Sequence, residues 1–401
     1  MKLLNTDQKN NVLQSMIRIL DEDREAIIEA NKADLNAFQR DDQALYDRLV
    51  VNEAKVDDMI RAVREVLEQE DPIGKVISKR SLDNGLEVIN KTAPFGTIMI
   101  IYESRPDVTI EAAVLAFKAN SKILLKGGKE AVNSNKILVK CWHKALAEND
   151  LDENWIELFT LNREQTQEFL RNPTEKLDLI VPRGGERLIQ FVKEHARCAV
   201  LVSGRGNNFA YIAPDANWEQ AKKVIINAKT DKISGCNALD KVLVDKNLPD
   251  YDVKLKDLAK TLGDHQVEIL ADQAVKSHLD NAKDIHSEDT WYEEFLALKA
   301  CIGEVDGIDE AIEKINQYSG GHSSIILTTD NELASKFMEQ IDGAAVYHNA
   351  SSRFTDGGAM GVGAELAIST DKLHHRGPLG LEQLVTNKYY VHGTGQVRDK
   401  I

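Results

Sequence analysis

The sequence lacks long apolar runs: nothing in its 401 residues approaches the eighteen or more consecutive apolar residues of a membrane span. It also lacks a basic tract, and 65 acidic against 50 basic residues give a formal net charge of −15. Such a charge favours solubility and disfavours nonspecific binding to nucleic acid or anionic membranes. The first residues form charged amphipathic sequence without the apolar region of a signal peptide. We therefore expect a cytoplasmic protein with no nucleic acid and no membrane among its partners.

Cysteine is scarce as well. The four cysteines form no Cys-x-x-Cys pair and have no regular spacing, which argues against a disulfide framework and against a zinc site. The histidines late in the chain have no carboxylate at ligand spacing, so we expect no metal. Cys141 falls in a helical pattern, and Cys198 and Cys301 lie among small apolar residues, as strand residues do. These three thiols are expected to be buried and inert.

Cys236 differs from the other cysteines in its surroundings. It lies in the segment Asp231-Lys232-Ile233-Ser234-Gly235-Cys236-Asn237-Ala238, with a flexible residue before the thiol and an amide after it. An accessible thiolate is a strong nucleophile, so Cys236 is a candidate for covalent catalysis. A lone cysteine near a turn is more often structural, and spacing alone leaves both interpretations open.

Strand and helix patterns alternate through most of the chain. The apolar run at 95–102 is polar on neither face, which is typical of a strand inside a parallel sheet. Alternation continues to residue 202, and a second series has strands at 209–212, 241–244, 267–270 and 324–328. Residues 7–70 predict amphipathic helices, and Asp83-Asn84-Gly85 predicts a hairpin turn. The predicted fold class is α/β, with two doubly wound domains and a small hairpin.

Two glycine pairs follow predicted strands, in Lys126-Gly127-Gly128-Lys129 and in Pro182-Arg183-Gly184-Gly185. Glycines at such turns let backbone N–H groups approach a phosphate at a helix N-terminus. Neither segment matches G-x-G-x-x-G, and a glycine pair is often only a tight turn, so both interpretations remain open. The lysines around the first pair would suit an adenosine ribose or its 2′-phosphate.

Two further segments carry candidate anion ligands. Ser104-Arg105-Pro106-Asp107 follows the apolar strand and opens a helix, where Pro106 and Asp107 suit the first turn. Sheets of this class bind ligands beyond the carboxyl ends of their strands, so Arg105 is either part of a helix cap or a clamp for a carboxylate or phosphate. Residues 347–358 form a polar loop of a kind that is often functional, and Arg353 is its best anion ligand.

Taken together, these motifs resemble the γ-glutamyl phosphate reductases, also called glutamate-5-semialdehyde dehydrogenases, a branch of the aldehyde dehydrogenase superfamily. The most specific matches are Asn349-Ala350-Ser351-Ser352-Arg353-Phe354-Thr355-Asp356-Gly357-Gly358 and His374-His375-Arg376-Gly377-Pro378-Leu379-Gly380-Leu381. The resemblance implies NADPH-dependent reduction of L-glutamyl 5-phosphate to L-glutamate 5-semialdehyde, with release of phosphate, in proline biosynthesis. It also implies an aldehyde dehydrogenase-like fold.

The resemblance assigns roles to individual residues. Cys236 is the implied nucleophile, and Asn237 is a helper for the oxyanion that forms beside it. Glu294 falls where the superfamily places a carboxylate on the nicotinamide ribose, although taken alone it would be a solvated surface charge. The remaining NADP(H) ligands are expected to be Lys126, Gly127, Gly128, Gly184 and Gly185. The expected substrate ligands are Ser104, Arg105 and Arg353.

One segment and two single residues depart from the family or from its hydrolytic relatives. Lys232-Ile233-Ser234-Gly235 replaces a usual Arg-Pro before the thiol, and Asp240 replaces a glutamate. Hydrolytic aldehyde dehydrogenases resemble one another in having a glutamate that activates water. Ser203 stands at the matching position of this chain. A reductase must keep its thioester from water, so Ser203 favours a reductase over the alternative, a hydrolytic NAD(P)-dependent aldehyde dehydrogenase. The other alternative, a nucleotide-binding scaffold without turnover, does not account for the setting of Cys236.

The pattern and the resemblance together divide the chain into three parts. We expect an NADP(H)-binding domain at 1–78 and 97–205, a catalytic domain at 206–384, and an oligomerisation hairpin and tail at 79–96 and 385–401. The tail has the pattern of an exposed edge strand, so the hairpin is expected to pair with the tail of a partner subunit. We therefore expect a homo-oligomer, with functional coupling to glutamate 5-kinase as a further expectation.

Overall fold

A computed structural model of the chain describes residues 2–39 and 42–398, without the side chains of residues 44 and 186. The chain divides into two compact units. Unit 1 comprises Met1–Val202, Val362–Ala367 and Leu379–Ile401, and unit 2 comprises Ser203–Gly361 and Ile368–Pro378. None of the helices in the described residues is both long and apolar enough to cross a membrane.

The helices are α1 (Thr6–Glu22), α2 (Arg24–Ala37), α3 (Gln43–Leu49), α4 (Glu53–Glu68), α5 (Val108–Lys118), α6 (Val132–Ala147), α7 (Arg163–Arg171), α8 (Glu186–His195), α9 (Trp218–Thr230), α10 (Tyr251–Asp264), α11 (Gln273–Lys276), α12 (Asp289–Tyr292), α13 (Gly307–Tyr318) and α14 (Asn331–Gln340). The strands are β1 (Val76–Ser81), β2 (Glu87–Pro94), β3 (Thr97–Tyr102), β4 (Lys122–Lys126), β5 (Ile156–Leu158), β6 (Leu179–Arg183), β7 (Ala199–Val200), β8 (Asn208–Ile212), β9 (Leu239–Asp245), β10 (Glu268–Ala271), β11 (Lys283–Asp284), β12 (Lys299–Val305), β13 (Ser323–Leu327), β14 (Ala345–His348), β15 (Ile368–Ser369), β16 (Gly377–Pro378) and β17 (Val385–His392).

The main sheet of unit 1 is parallel, in the order β5-β4-β3-β6-β7. Its central strand β3 is the apolar run of the sequence. Ile98 and Ile100 enter one core, under helices that include α1, α4, α5 and α6, whereas Met99 and Ile101 enter the core under α7 and α8. Both faces are therefore buried, as the run predicts. The order reverses between β3 and β6, which makes their carboxyl ends a topological switch point.

The first helix shows why the N-terminal region is helical. Asn5 caps α1 by accepting from the Gln8 N–H, and the Gln8 side chain accepts from the Asn5 N–H in return. Val12, Met16 and Leu20 then recur at helical spacing and are fully buried. The predicted amphipathic helices of this region are confirmed as α1 to α4.

The hairpin and the tail form one antiparallel sheet of unit 1, in the order β1-β2-β17. The turn between β1 and β2 is closed by a hydrogen bond from Leu82 N to Leu86 O (2.8 Å), and Gly85 has a φ of +85°. The tail strand β17 pairs along its whole length with β2 of the same chain. The hairpin therefore pairs with the tail of its own chain through β2, and pairing with a partner subunit stays a prediction.

The sheet of unit 2 has seven parallel strands, in the order β11-β10-β12-β9-β8-β13-β14. Residues of β8 alternate between two cores, with Ala210 under α9 and α10 and Phe209 under α13 and α14. The sequence pattern missed β14, and of β12 it indicated only the strand-like setting of Cys301. In β12, Gly303 and Glu304 interrupt the apolar run although the strand lies between β9 and β10.

The cysteines outside the candidate site differ from one another. Cys141 in α6 and Cys301 in β12 are fully buried, and burial raises the pKa of each thiol to about 12. Cys198 is only half-buried and precedes β7, so its predicted burial in a strand is wrong. Partial burial still raises the pKa of the Cys198 thiol to about 11, which keeps it protonated at neutral pH.

Candidate active site

Cys236 lies on a turn between the end of α9 and the start of β9, at the amino edge of the unit 2 sheet. Gly235 N donates to Lys232 O at 3.1 Å, and Ala238 N donates to Gly235 O at 2.9 Å. These two bonds make Cys236 and Asn237 the central residues of the second turn. Cys236 is partly exposed, whereas the thiols of Cys141 and Cys301 are buried.

Two glycines let neighbouring groups approach this turn closely. A methyl group on Gly206 would overlap the Cys236 backbone, so the segment before β8 passes directly against the thiol-bearing residue. A methyl group on Gly235 would lie 2.9 Å from Arg353 Nη1. Arg353 is thus beside the turn, and its Nε donates to Asp231 Oδ2 at 3.0 Å. A guanidinium in this position favours a thiolate and attracts anionic substrate groups.

The side chain of Asn237 points away from the solvent and supports the loop that carries Arg353. Its Nδ2 donates to Thr355 O at 2.9 Å and to Arg353 O at 3.2 Å. Ser352 Oγ donates in turn to the Asn237 carbonyl at 2.7 Å. Both amide hydrogens of Asn237 are thereby engaged with the backbone, which makes this side chain a structural link between the thiol and Arg353.

Asn208 is a residue that the sequence analysis missed. It is fully buried at the start of β8, and its Nδ2 lies within hydrogen-bond distance of the carbonyls of Cys236 (2.8 Å) and Ala238 (2.6 Å). Its Oδ1 accepts from Ser323 N at 2.9 Å. The sequence did contain a signal for this role, because Asn208 begins an otherwise apolar strand. A buried amide must find hydrogen-bond partners.

Glu294 lies in the segment between α12 and β12, half-buried and held on both sides by the strand that follows the thiol. Lys241 Nζ donates to Glu293 O at 2.8 Å, and Asp240 Oδ2 accepts from Phe295 N at 2.8 Å. Asp240 also pairs with Lys229 at 2.8 Å in the interior. Burial lowers the pKa of Lys241 to about 8. The position of Glu294 is therefore fixed by residues four and five places after Cys236.

In unit 1, Ser104 and Arg105 lie at the switch point, directly after β3. Ser104 is buried with a φ of +35°, and its N–H and Oγ both donate to Glu130 Oε1, at 3.0 and 2.7 Å. Ser104 is thereby strained and turned inward. Arg105 is more exposed, and its Nη2 lies 3.1 Å from Asp107 Oδ2. Lys55 also reaches Asp107, at 2.9 Å, so two cations share this carboxylate.

The two glycine pairs have different surroundings. After β4, the N–H groups of Asn133 and Ser134 at the start of α6 donate to Asp34, so a carboxylate already occupies that helix N-terminus. A methyl group on Gly127 would overlap Asn135, which explains that glycine by packing. Lys126 donates to Gly127 O at 2.9 Å, and burial lowers its pKa.

The second pair is more open. Gly184 and Gly185 are exposed after β6, and Gly185 caps α8 without a side chain of its own. The Gly185 N–H faces Glu103 Oε2 at 3.3 Å, a long contact at a solvent-exposed position. The N-terminus of α8 at the switch point therefore suits a phosphate better than the N-terminus of α6 does.

Comparison with known proteins decides the family, although no protein-family model matches the chain. A γ-glutamyl phosphate reductase of Dictyoglomus thermophilum is 38% identical over 401 residues, which cover 100% of this chain and 96% of the relative. The chain belongs to the γ-glutamyl phosphate reductase family. The crystal structure of the Thermotoga maritima γ-glutamyl phosphate reductase matches with a TM-score of 0.94 and 40% identity, over 99% of this chain and 95% of that one.

The reductase fold extends to more distant proteins. An acetylating aldehyde dehydrogenase of Geobacillus thermoglucosidasius matches with a TM-score of 0.69 and 17% identity, over 99% of this chain and 94% of that one. The predicted family and the predicted aldehyde dehydrogenase-like α/β fold are therefore confirmed. The predicted enzyme class, a glutamate-5-semialdehyde dehydrogenase acting as an oxidoreductase, is confirmed with them, and the reductase interpretation is favoured over the hydrolytic alternative.

Proposed function

We propose that this chain reduces L-glutamyl 5-phosphate to L-glutamate 5-semialdehyde in proline biosynthesis, with NADPH as the reductant and a thioester on Cys236 as the intermediate. The observation that carries the proposal is the partly exposed Cys236 on a turn beside the Arg353 guanidinium, in a chain that matches a reductase relative over 96% of that relative's length. The scaffold alternative gives no reason for a reactive thiol beside a cation.

The chemistry follows from the thiol. The Cys236 thiolate attacks the acyl carbon of the substrate, a carbon–sulfur bond forms, and the carbon–oxygen bond to phosphate breaks. Reduction of the thioester gives a hemithioacetal, which collapses to the aldehyde and returns the thiol. Backbone N–H groups of the turn are suited to the oxyanion of each tetrahedral state, and Asn237 contributes by fixing the turn. Arg353 is suited to the phosphate that leaves or to the substrate carboxylate.

A nicotinamide cofactor supplies the hydride when bound, and unit 1 has residues that suit it. The open N-terminus of α8, with Gly184 and Gly185, suits the pyrophosphate. Lys126 lies at the carboxyl end of β4, where it suits the adenosine ribose, with Gly127 and Gly128 forming the turn after it. Unit 1 is therefore proposed as the NADP(H)-binding domain and unit 2 as the catalytic domain, with Glu294 as a ligand of the nicotinamide ribose. Arg105, which pairs with Asp107, is proposed as an anion ligand for the substrate, with Ser104 next to it in the chain.

Replacing Lys126 and Lys129 together by alanine tests the preference for NADPH. If either lysine contacts the 2′-phosphate, the double variant should bind NADPH more weakly by roughly 1 to 3 kcal/mol and NADH almost unchanged. Fluorescence titration of both nucleotides measures the two affinities. Replacing Lys136 and Lys140 in α6 gives a control with the same loss of charge. Equal losses for NADPH and NADH would mean that the lysines only shape the turn.

The overall reaction is best followed in reverse. Purified enzyme with glutamate semialdehyde, phosphate and NADP should produce NADPH, detected by its absorbance, and omission of any one component should abolish steady turnover. Steady oxidation with glutamate as the product and no need for phosphate would favour the hydrolytic alternative. No oxidation under any of these conditions would contradict the proposed substrate.

We also propose that the protein is a homo-oligomer. The β1-β2-β17 sheet exposes Val76, Ile77, Tyr389 and Val391, each more than half accessible, and both outer strands have an unpaired edge in the described chain. Exposed apolar edge strands are usually covered. Sedimentation equilibrium at micromolar concentration tests this, and a monomer would contradict it. An acyl phosphate is labile, which is a reason to expect functional coupling to a glutamate 5-kinase that supplies it. This coupling stays a prediction.

A further inference from the structure

A closed ring of hydrogen bonds surrounds the backbone of the Cys236 turn, entirely within unit 2. Asn208 Nδ2 donates to the Cys236 carbonyl at 2.8 Å, and Asn208 Oδ1 accepts from Ser323 N at 2.9 Å. Ser323 Oγ lies 2.7 Å from Thr355 Oγ1. The Thr355 carbonyl accepts from Asn237 Nδ2 at 2.9 Å, which returns the ring to the residue after the thiol.

The hydroxyl bond between Ser323 and Thr355 is the link that closes this ring. Ser323 at the start of β13 holds Asn208, and Asn208 holds the Cys236 carbonyl. Thr355 follows the short helical turn that carries Arg353, and its carbonyl holds Asn237. The hydroxyl bond joins the two supports directly, and Tyr347 on β14, the neighbour of β13, makes a second contact with Thr355.

Three side chains of the ring are fully buried, so the loss of a hydrogen bond among them is costly. Asn208, Ser323 and Thr355 are all 0 to 1% accessible, so water cannot replace a lost partner. Two further side chains lie outside the ring and contact its hydroxyl groups. Tyr347 OH lies 2.7 Å from Thr355 Oγ1, and His322 Nδ1 lies 2.7 Å from Ser323 Oγ. Burial lowers the pKa of His322 to about 4, so its imidazole is neutral at physiological pH.

We propose that Ser323 and Thr355 are positioning residues for the thiol, which keep the Cys236 turn against the Arg353 guanidinium. Arg353 Nη1 approaches Gly235 because the segment 352–355 is anchored on Asn237 from one side and on Ser323 from the other. Opening the ring leaves this segment held by its bonds to Asn237 and by the Arg353–Asp231 pair, but without its anchor on Ser323, so the guanidinium is less firmly fixed beside the turn. The thiolate is then less well stabilised by the neighbouring cation, and it attacks the acyl carbon in a less favourable geometry.

The inference rests on the proposed role of Cys236, and the thiol itself supplies a separate readout. The rate of Cys236 alkylation by iodoacetamide is measured as a function of pH, with the modified peptide identified by mass spectrometry. Cys236→Ser activity tests the nucleophile alone. A fully active Cys236→Ser variant would contradict the proposed function. The alkylation rates would then still report whether the ring controls the surroundings of the thiol.

Thr355→Val removes the closing bond and keeps the side-chain shape. We expect kcat/KM to fall at least roughly tenfold and the pH midpoint of alkylation to move upward, because a buried partner is lost and the cation retreats. Thr355→Ser should restore both to within about threefold of wild type, since it keeps the hydroxyl. Ser323→Ala removes the same bond from the other side and serves if Thr355→Val does not fold. The loss in the double variant should be clearly smaller than the sum of the two single losses, because both changes remove the same bond of the ring.

Tyr347→Phe is the matched control, since it removes a hydroxyl that contacts Thr355 but leaves every bond of the ring. It should keep wild-type kcat/KM and an unchanged alkylation midpoint. Either of two results would overturn the proposal. One is a Thr355→Val enzyme with wild-type activity and an unmoved midpoint. The other is a Tyr347→Phe enzyme as impaired as Thr355→Val, which would mean general packing rather than the ring.

Discussion

Cys236→Ser is expected to lower turnover by at least about three orders of magnitude, equivalent to about 4 kcal/mol of transition-state stabilisation. A serine hydroxyl is scarcely ionised at neutral pH, so a cation beside the turn cannot make it a comparable nucleophile. The change is small in volume and leaves the Cys236 carbonyl free to accept from Asn208 as before. NADPH binding should therefore be retained. Steady-state kinetics and fluorescence titration of NADPH measure the two quantities on the same preparation.

Cys198→Ser is the matched control for this prediction. Cys198 is half-buried in unit 1, and the raised pKa of its thiol, about 11, leaves it protonated at neutral pH. The Cys198→Ser enzyme should keep the wild-type rate. A Cys236→Ala enzyme with wild-type turnover would show that the thiol takes no part in the mechanism. A Cys198→Ser enzyme without activity would mean that Cys198 was wrongly taken as inert.

Oxidation of the semialdehyde is expected to depend on phosphate. Ser203 stands three residues before Gly206, and Gly206 passes against the Cys236 backbone. A serine at this position cannot act as the general base that a glutamate provides in hydrolytic relatives. The acyl thioester then waits for phosphate. With phosphate withheld, NADPH formation should be slow or should stop after one turnover per active site, and added phosphate should restore the steady rate.

Ser203→Glu extends the same argument. A carboxylate within reach of a water can supply roughly two to four orders of magnitude of general-base assistance, so this variant should gain some phosphate-independent oxidation. Ser203→Gln is the control, because it has the size of glutamate without a base. Steady phosphate-free turnover by the unmodified protein, yielding glutamate, would mean that another residue activates water and that the hydrolytic alternative was correct.

Local sequence patterns predicted the parts of the fold that local physics determines. The apolar run 95–102 predicted β3 because a strand buried on both faces has no polar alternation. Asp83-Asn84-Gly85 predicted the hairpin turn because Gly85 adopts a positive φ at no steric cost. Strand β12 was indicated only around Cys301, because Gly303 and Glu304 break its apolar pattern. Its place between β9 and β10 comes from pairing with distant strands.

The candidate site was predictable at the level of residue types but not of partners. The segment 231–238 indicated a turn, and the turn is present with Cys236 at its centre. Its supports lie far away in the chain, with Ser323 bonded to Asn208 across 115 residues and Asn237 to Thr355 across 118. The tail pairs with β2 across nearly 300 residues, as in the bond from Asn387 to Asn90. No periodicity or motif encodes such partners, because they depend on how the strands are ordered.

The most direct test of the central claim is the mass of the peptide that carries Cys236 after the reverse reaction is stopped in acid. Enzyme given glutamate semialdehyde and NADP without phosphate should show a glutamyl group on Cys236, formed with one equivalent of NADPH. The group should disappear when phosphate is added before the quench. An unmodified Cys236 in enzyme that is steadily producing NADPH, or a glutamyl group on another residue, would contradict the account.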